Sequence, residues 1–153
     1  MRYYPAGVKC NIYKLNDSLL EPLTLLTTRK KSSIVRTTKN SRLFKSIINA
    51  IQEKKGENIV SLDLRKIHEA VADFFIICEA SNPQQLRAIG EFVQEEVKKQ
   101  CGEVAYKHEG YQALQWVLID YVNIVVHVML PDVRKFYNLD EMRSDAESQE
   151  HNG

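Results

Sequence analysis

The chain has 153 residues, 44% of them hydrophobic, which fits one domain with one core. No apolar run reaches the roughly 18–20 residues of a membrane-spanning helix, because the longest, residues 116–130, is interrupted by Asp120, Asn123 and His127. We therefore expect a soluble protein without a membrane partner. The formal net charge is only +1, but it is unevenly distributed.

Residues 1–40 form a basic extension with eight lysines and arginines against two acids, whereas the remainder holds thirteen basic and eighteen acidic residues. Pro5, Gly7 and Pro22 interrupt it, and it has no clear hydrophobic period. We expect a disordered extension, with an organelle transit peptide as the alternative. The acidic domain that follows lacks the positive electrostatic potential that would attract phosphate groups. In a nucleic-acid-rich assembly it should therefore dock on a protein.

Two helices are predicted from apolar residues at helical spacing. The first covers residues 41–55, where Asn40 or Ser41 can cap it. The second begins at Pro83, with Asn82 as its cap and Gln85 at the capping-box position, and closes at Gly102. The apolar faces of these helices consist of Leu43, Phe44, Ile47, Ile48 and Ile51 in the first, and Leu86, Ile89, Val93 and Val97 in the second.

Short apolar runs predict strands over residues 58–64, 73–78, 103–108, 116–121 and 124–130. The last two are joined by a tight turn near Val122 and Asn123. A short helix follows over residues 132–137, with Phe136 and Tyr137 packing back, and residues 147–153 are expected to fray. The pattern predicts an α/β domain over residues 41–146, a small mixed sheet of about five strands with flanking helices.

The sequence lacks the groups that catalysis or metal binding requires. Its three cysteines, Cys10, Cys78 and Cys101, are too widely spaced for a zinc site or a disulfide framework, and Cys78 ends a buried strand, which predicts an inert thiol. The small mixed sheet resembles that of nucleotidyltransferases, but these need a Gly-Ser turn and paired carboxylates for two metal ions. Here there is no Gly-Ser, and Asp63 and Asp120 are single.

We therefore expect no enzymatic activity, no metal and no cofactor. The folded part also lacks a basic stripe with interleaved aromatics, so direct sequence-specific nucleic-acid binding is not expected. A degenerate nucleotidyltransferase-like protein that still binds a nucleotide is the rival hypothesis.

The β-rich segment of residues 109–127, E-G-Y-x-x-L-x-W-V-L-I-D-Y-x-x-I-V-V-H, is the candidate binding segment. Strand alternation puts Trp116, Leu118 and Asp120 on one face and Val117, Ile119 and Tyr121 on the other. Large aromatic rings beside a carboxylate on an open sheet face are typical of binding hot spots. The pattern alone leaves open whether that face is exposed or whether helices cover both faces.

Several motifs in order resemble the ribosomal silencing factor family, also called Iojap-like proteins. They are V-A-D-F-F-I-I-C-E-A-S-N-P-Q-Q-L-R-A-I, E-G-Y, W-V-L-I-D-Y, I-V-V-H-V and P-x-x-R-x-F-Y-N-L-D-E, spread over about residues 41–146. The resemblance implies a nucleotidyltransferase-like fold without the catalytic motif. It also implies binding to the fourteenth large-subunit ribosomal protein at the intersubunit face, which blocks subunit joining and represses translation, and it makes a homodimer possible.

The resemblance gives candidate contact residues and a location. The contact candidates are Trp116, Leu118, Asp120, Tyr121, His127 and Tyr137, whereas Asp73 and Asn82 are better explained as turn and cap residues. The location is the bacterial cytoplasm, or a mitochondrion or plastid if residues 1–40 are a transit peptide, in which case the protein would be an organellar ribosome assembly factor.

The chain departs from the family pattern at three places. Where the family usually has Gly-Asp, it has Val122 and Asn123, and because Val disfavours positive φ we expect a wider turn here. Where many members have Leu-Trp, it has Met142 and Arg143, which weakens the expectation of a C-terminal contact. Residues 1–40 have no recognised counterpart.

Overall fold

The computed structural model describes residues 38–39 and 41–151, so the rest of the predicted basic extension lies outside the described residues. The described helices are α1 (Arg42–Glu53), α2 (Pro83–Cys101), α3 (Pro131–Tyr137) and α4 (Leu139–Met142). The described strands are β1 (Glu57–Asp63), β2 (Phe74–Glu79), β3 (Lys107–Glu109), β4 (Trp116–Asp120), β5 (Ile124–Met129) and β6 (Glu147–Glu150). None of the described helices has the length and apolar character needed to cross a membrane.

The two long helices form as their sequences predict. The hydroxyl of Ser41 accepts a hydrogen bond from the backbone N–H of Phe44 at 3.2 Å and caps α1. At α2, the amide oxygen of Asn82 accepts from Gln85 N–H and the Gln85 side chain accepts from Ser81 N–H, both at 2.8 Å. Gly102 ends α2 in the left-handed conformation with φ +68°. The predicted apolar faces of both helices are buried.

The sheet has the strand order β3-β4-β5-β2-β1-β6. The pair β2 and β5 is parallel, and the other four neighbouring pairs are antiparallel. This mixed sheet with flanking helices confirms the predicted α/β class. It has one strand more than the approximate five that were expected, because the chain returns to the β1 edge after α4.

Apolar clusters lie on both faces of the sheet. On one face, α1 and α2 pack against alternate residues of the central strands, including Phe74, Val117 and Ile119. On the other face, Phe75, Trp116 and the remaining alternate residues form a second cluster with residues of α3 and of the segment that follows β1. Both faces of β4 and β5 are therefore core, which decides the question that strand alternation left open.

Two expectations at the sheet edges are corrected. Residues 147–150 do not fray but form β6, which pairs with β1 in the register Val60↔Glu150 to Asp63↔Glu147. The strand forms because β1 would otherwise end the sheet with unpaired backbone groups. The predicted strand over residues 103–108 is observed only as β3, which begins at Lys107. Tyr106 N–H still donates to the Asp120 carbonyl at 2.8 Å, whereas Val104 is 72% exposed.

Candidate partner-binding site

The structure buries the six residues that the sequence offered as contact candidates. Trp116, Leu118 and His127 have no exposed surface, and the exposed fractions of Asp120, Tyr121 and Tyr137 are 1%, 5% and 8%. The hypothesis of an exposed strand face is therefore wrong for β4, because side chains from outside the strand cover it. Any part that these residues play in binding has to come through side chains that lie above them.

Four of the six residues lie together, and two have other roles. Trp116, Leu118 and Tyr137 belong to the cluster on the face away from α1 and α2, and His127 touches it through Trp116. Tyr121 belongs to the cluster beneath α1 and α2, on the face that strand alternation predicts for it. Asp120 accepts a hydrogen bond from the backbone N–H of Val122 at 2.8 Å, so its carboxylate supports the β4–β5 turn.

An aromatic cluster connects β2, β4, β5 and α3. The indole N–H of Trp116 donates to Nδ1 of His127 at 3.2 Å. The His127 ring lies edge-on to Phe75, with 4.9 Å between the ring centroids, and the Trp116 and Tyr137 ring centroids are 5.2 Å apart. Burial lowers the pKa of His127 from 6.5 to about 3, so the imidazole is neutral and its Nδ1 can accept the indole N–H.

Phe136 extends this cluster to the protein surface. Its ring lies edge-on to Tyr137, with 4.9 Å between the centroids, and its side chain is 67% exposed. The expectation that Phe136 packs back together with Tyr137 is wrong, because neighbouring helical residues point about 100° apart and only one of them faces the core. That spacing is the signal from which an exposed aromatic residue could have been predicted.

The β4–β5 turn is tight, contrary to the expected wider turn. Tyr121 N–H donates to the carbonyl of Ile124 at 2.8 Å, and Asn123 N–H donates to the carbonyl of Tyr121 at 2.9 Å. The residue between them, Val122, has φ +72°, a value that β-branched residues rarely adopt. The turn therefore keeps its short form at the expense of backbone strain.

The remaining candidates for chemistry have structural roles. Cys78 is buried, and burial raises the pKa of its thiol to about 12, as expected of an inert core cysteine. A hydrogen bond from the guanidinium of Arg65 lowers the pKa of Asp63, so this carboxylate is paired. Among the described residues, no group of three histidines, cysteines or acids could hold a metal ion.

Comparisons with known proteins agree with this architecture. A family model described as "Ribosomal silencing factor during starvation" matches residues 37–153. The chain belongs to this ribosomal silencing factor family. The motif resemblance noted over about residues 41–146 is thus confirmed, and the family match extends beyond it to include β6.

Relatives of the family occur in bacteria and in chloroplasts. The chain is 37% identical over 114 residues to "Ribosomal silencing factor RsfS" of Halalkalibacterium halodurans, which covers 74% of this chain and 96% of that protein. It is 36% identical over 73 residues to "Protein Iojap, chloroplastic" of Arabidopsis thaliana, covering 48% and 30% of the two chains. A crystal structure of a Chromobacterium violaceum protein superposes with a TM-score of 0.63 at 29% identity, over 72% of this chain and 91% of that one.

Proposed function

We propose that this protein is a ribosomal silencing factor that binds the large ribosomal subunit, prevents the small subunit from joining it and thereby represses translation. The observation that carries the proposal is the match of residues 37–153 to a family of that description. The motif set supports a partner of one kind, the fourteenth large-subunit ribosomal protein at the intersubunit face. The excess of acids after residue 40 favours this protein partner over ribosomal RNA.

The mechanism we propose is steric occlusion and not a reaction. A domain of this size that sits on the intersubunit face occupies space that the small subunit needs. The exclusion requires only tight binding in one orientation, which a rigid sheet with a core on each face can supply. No catalytic group has to be supplied by the domain.

The binding surface we propose is centred on Phe136, with the aromatic cluster of Tyr137, Trp116 and His127 as its support. An exposed aromatic ring on a rigid base provides a large contact area at low cost in side-chain entropy. Of the six contact candidates, Tyr137 is the one directly behind the exposed ring. Trp116, Leu118, Asp120, Tyr121 and His127 then contribute by fixing the strands and the turn below it.

A sedimentation experiment with purified subunits tests the function. When the protein is added to large subunits before small subunits, we expect the sucrose-gradient profile to keep the two subunits apart, with the protein in the large-subunit fractions. Joined ribosomes in the same amount with and without the protein would contradict the proposal.

The variant Phe136→Ala tests the surface. Its affinity for large subunits should fall about tenfold or more, as for an aromatic hot spot, while its circular dichroism spectrum stays unchanged because the ring is exposed. The matched control is Tyr106→Ala, since Tyr106 is also aromatic, is 55% exposed and lies outside the aromatic cluster. Equal affinities of both variants would show that Phe136 is not in the contact.

The chloroplastic relative supports a second setting for the same activity, an organellar ribosome assembly or silencing factor. In that case residues 1–40 act as a transit peptide, and import into isolated organelles should shorten the chain near residue 40. Without such cleavage, the bacterial cytoplasm is the location that we propose.

A further inference from the structure

The short helix α3 is fastened to the domain by one buried guanidinium. Arg134 Nη1 donates to the carbonyl of Asn58 at 2.6 Å and lies 3.3 Å from Glu79 Oε1. Its Nε and Nη2 donate to the two carboxylate oxygens of Asp140 at 3.2 and 3.3 Å. A single side chain therefore joins α3 to β1, to β2 and to α4.

The strand β1 is locally irregular where it meets Arg134. Its register with β2 shifts between Glu57 and Val60, and Asn58 has φ +48°, which is the arrangement of a β-bulge. A bulge turns backbone groups out of the regular ladder, and here the Asn58 carbonyl accepts from Arg134. The Asn58 side chain also donates to Glu79 Oε2 at 3.0 Å, so Glu79 bridges the bulge and the guanidinium.

The helix α3 depends on such tertiary contacts for its position. It has seven residues, no side-chain hydrogen bond at its N-cap, and an end at Asn138 in the left-handed conformation with φ +47°. A helix of this length is unstable by itself. The direction in which it presents Phe136 is therefore fixed from outside, by the Arg134 contacts and by Tyr137 against Trp116.

We infer that Arg134 is a positioning residue for the partner-binding surface: it holds α3 in the orientation that presents Phe136 and keeps Tyr137 on Trp116. The inference rests on the function proposed above, in which Arg134 would act on binding through Phe136. The Arg134 side chain is only 11% exposed and is occupied by Glu79 and Asp140, so it acts by holding the helix and not by touching the partner.

The test compares Arg134→Gln with the wild-type chain in two measurements. Affinity for isolated large subunits should fall about tenfold or more, in the range of a lost hot spot. The emission of Trp116, the single tryptophan of the chain, should shift without any ribosome present, because Tyr137 moves away from it. Asp140→Asn, which removes the negative charge and one of the two acceptor oxygens opposite the guanidinium, should give smaller changes in the same direction and serves if Arg134→Gln does not fold.

The control and a double variant separate positioning from general stability. Arg65→Gln removes another arginine–carboxylate pair, with Asp63, and should lower stability without changing subunit affinity or Trp116 emission. In a Phe136→Ala background, Arg134→Gln should cause no further loss of affinity, because both changes act through the same ring. If the wild type binds large subunits and Arg134→Gln binds them equally well, this inference alone is overturned. The same holds if Arg134→Gln lowers the affinity equally in the wild-type chain and in the Phe136→Ala variant. A wild-type chain that does not bind would overturn the proposed function.

Discussion

At the scale of single residues, the surrounding structure imposes backbone strain on Val122 and a neutral charge state on His127. Val122 has φ +72° because the hydrogen bonds of the β4–β5 turn leave no other path for the backbone. His127 is kept neutral because no solvent reaches its ring. Each effect leads to a measurable prediction.

Val122→Gly should stabilise the protein. The strain of a β-branched residue at positive φ is about 1–3 kcal/mol, and the entropy cost of glycine, about 0.5–1 kcal/mol, offsets only part of its relief. Urea unfolding should show a gain in the free energy of unfolding of roughly 1 kcal/mol. The control Val104→Gly, at an exposed position without positive φ, should show no gain, and a loss at both positions would exclude strain at Val122.

His127 should make the protein sensitive to acid. Between pH 6.5 and about 3 the unfolded chain protonates this imidazole and the native chain does not, so the unfolded chain binds more protons. The contribution of the neutral imidazole to the free energy of unfolding is fully present above pH 6.5. It is lost as the pH falls, by on the order of 1 kcal/mol per pH unit. Burial also lowers the pKa of His151, which acts in the same direction.

His127→Asn isolates the contribution of this residue, because an amide oxygen can accept from the Trp116 indole but does not titrate. The variant should be less stable than the wild type at pH 7, and its free energy of unfolding should fall less steeply between pH 6.5 and 4.5. Parallel slopes for the two proteins would contradict the neutral buried imidazole.

At the scale of elements, β6 has a structural role that its polar composition does not predict. Its four side chains are all exposed, so the strand is held by backbone pairing with β1 and by the residue after it. His151 N–H donates to the Ile59 carbonyl at 2.8 Å, and its Nε2 lies 2.8 Å from the hydroxyl of the buried Ser61. The role of β6 is therefore to pair with the backbone groups at the β1 edge of the sheet.

A chain that ends at Ala146 should be less stable and more prone to associate. Its β1 edge and the Ser61 hydroxyl lose their partners, which should lower the midpoint of thermal unfolding by several degrees and raise light scattering on warming. A chain that ends at His151 keeps the strand and serves as the control. Equal behaviour of the two truncated chains would support the original expectation of a frayed tail.

At the scale of the whole molecule, the charge is divided between two parts of the chain. Residues 1–40 carry eight basic and two acidic residues, and the remainder has an excess of five acids. The two parts should therefore contribute differently to binding an assembly made of protein and RNA. If the domain makes the specific protein contact proposed above, we expect the extension to add a non-specific attraction to phosphate.

Removing residues 1–37 should change the salt dependence of binding more than its strength at high salt. The full chain should bind large subunits more tightly at low salt, with a steeper fall as salt rises, because seven lysines and arginines release counterions from RNA. Filter binding or sedimentation at several salt concentrations measures both slopes. Identical slopes would mean that the extension does not contact RNA.

The sequence by itself determined the helices with their caps, the central strands, the α/β class and the family, because periodicity, capping and motif order are local properties of the chain. Tertiary structure alone decided which side chains a partner can reach. Trp116 and Leu118 lie inside because other elements cover their strand face, and Phe136 lies outside because Tyr137 takes the inward position on α3. It also decided that residues 147–150 form a strand, since pairing with the β1 edge uses backbone groups that every sequence has.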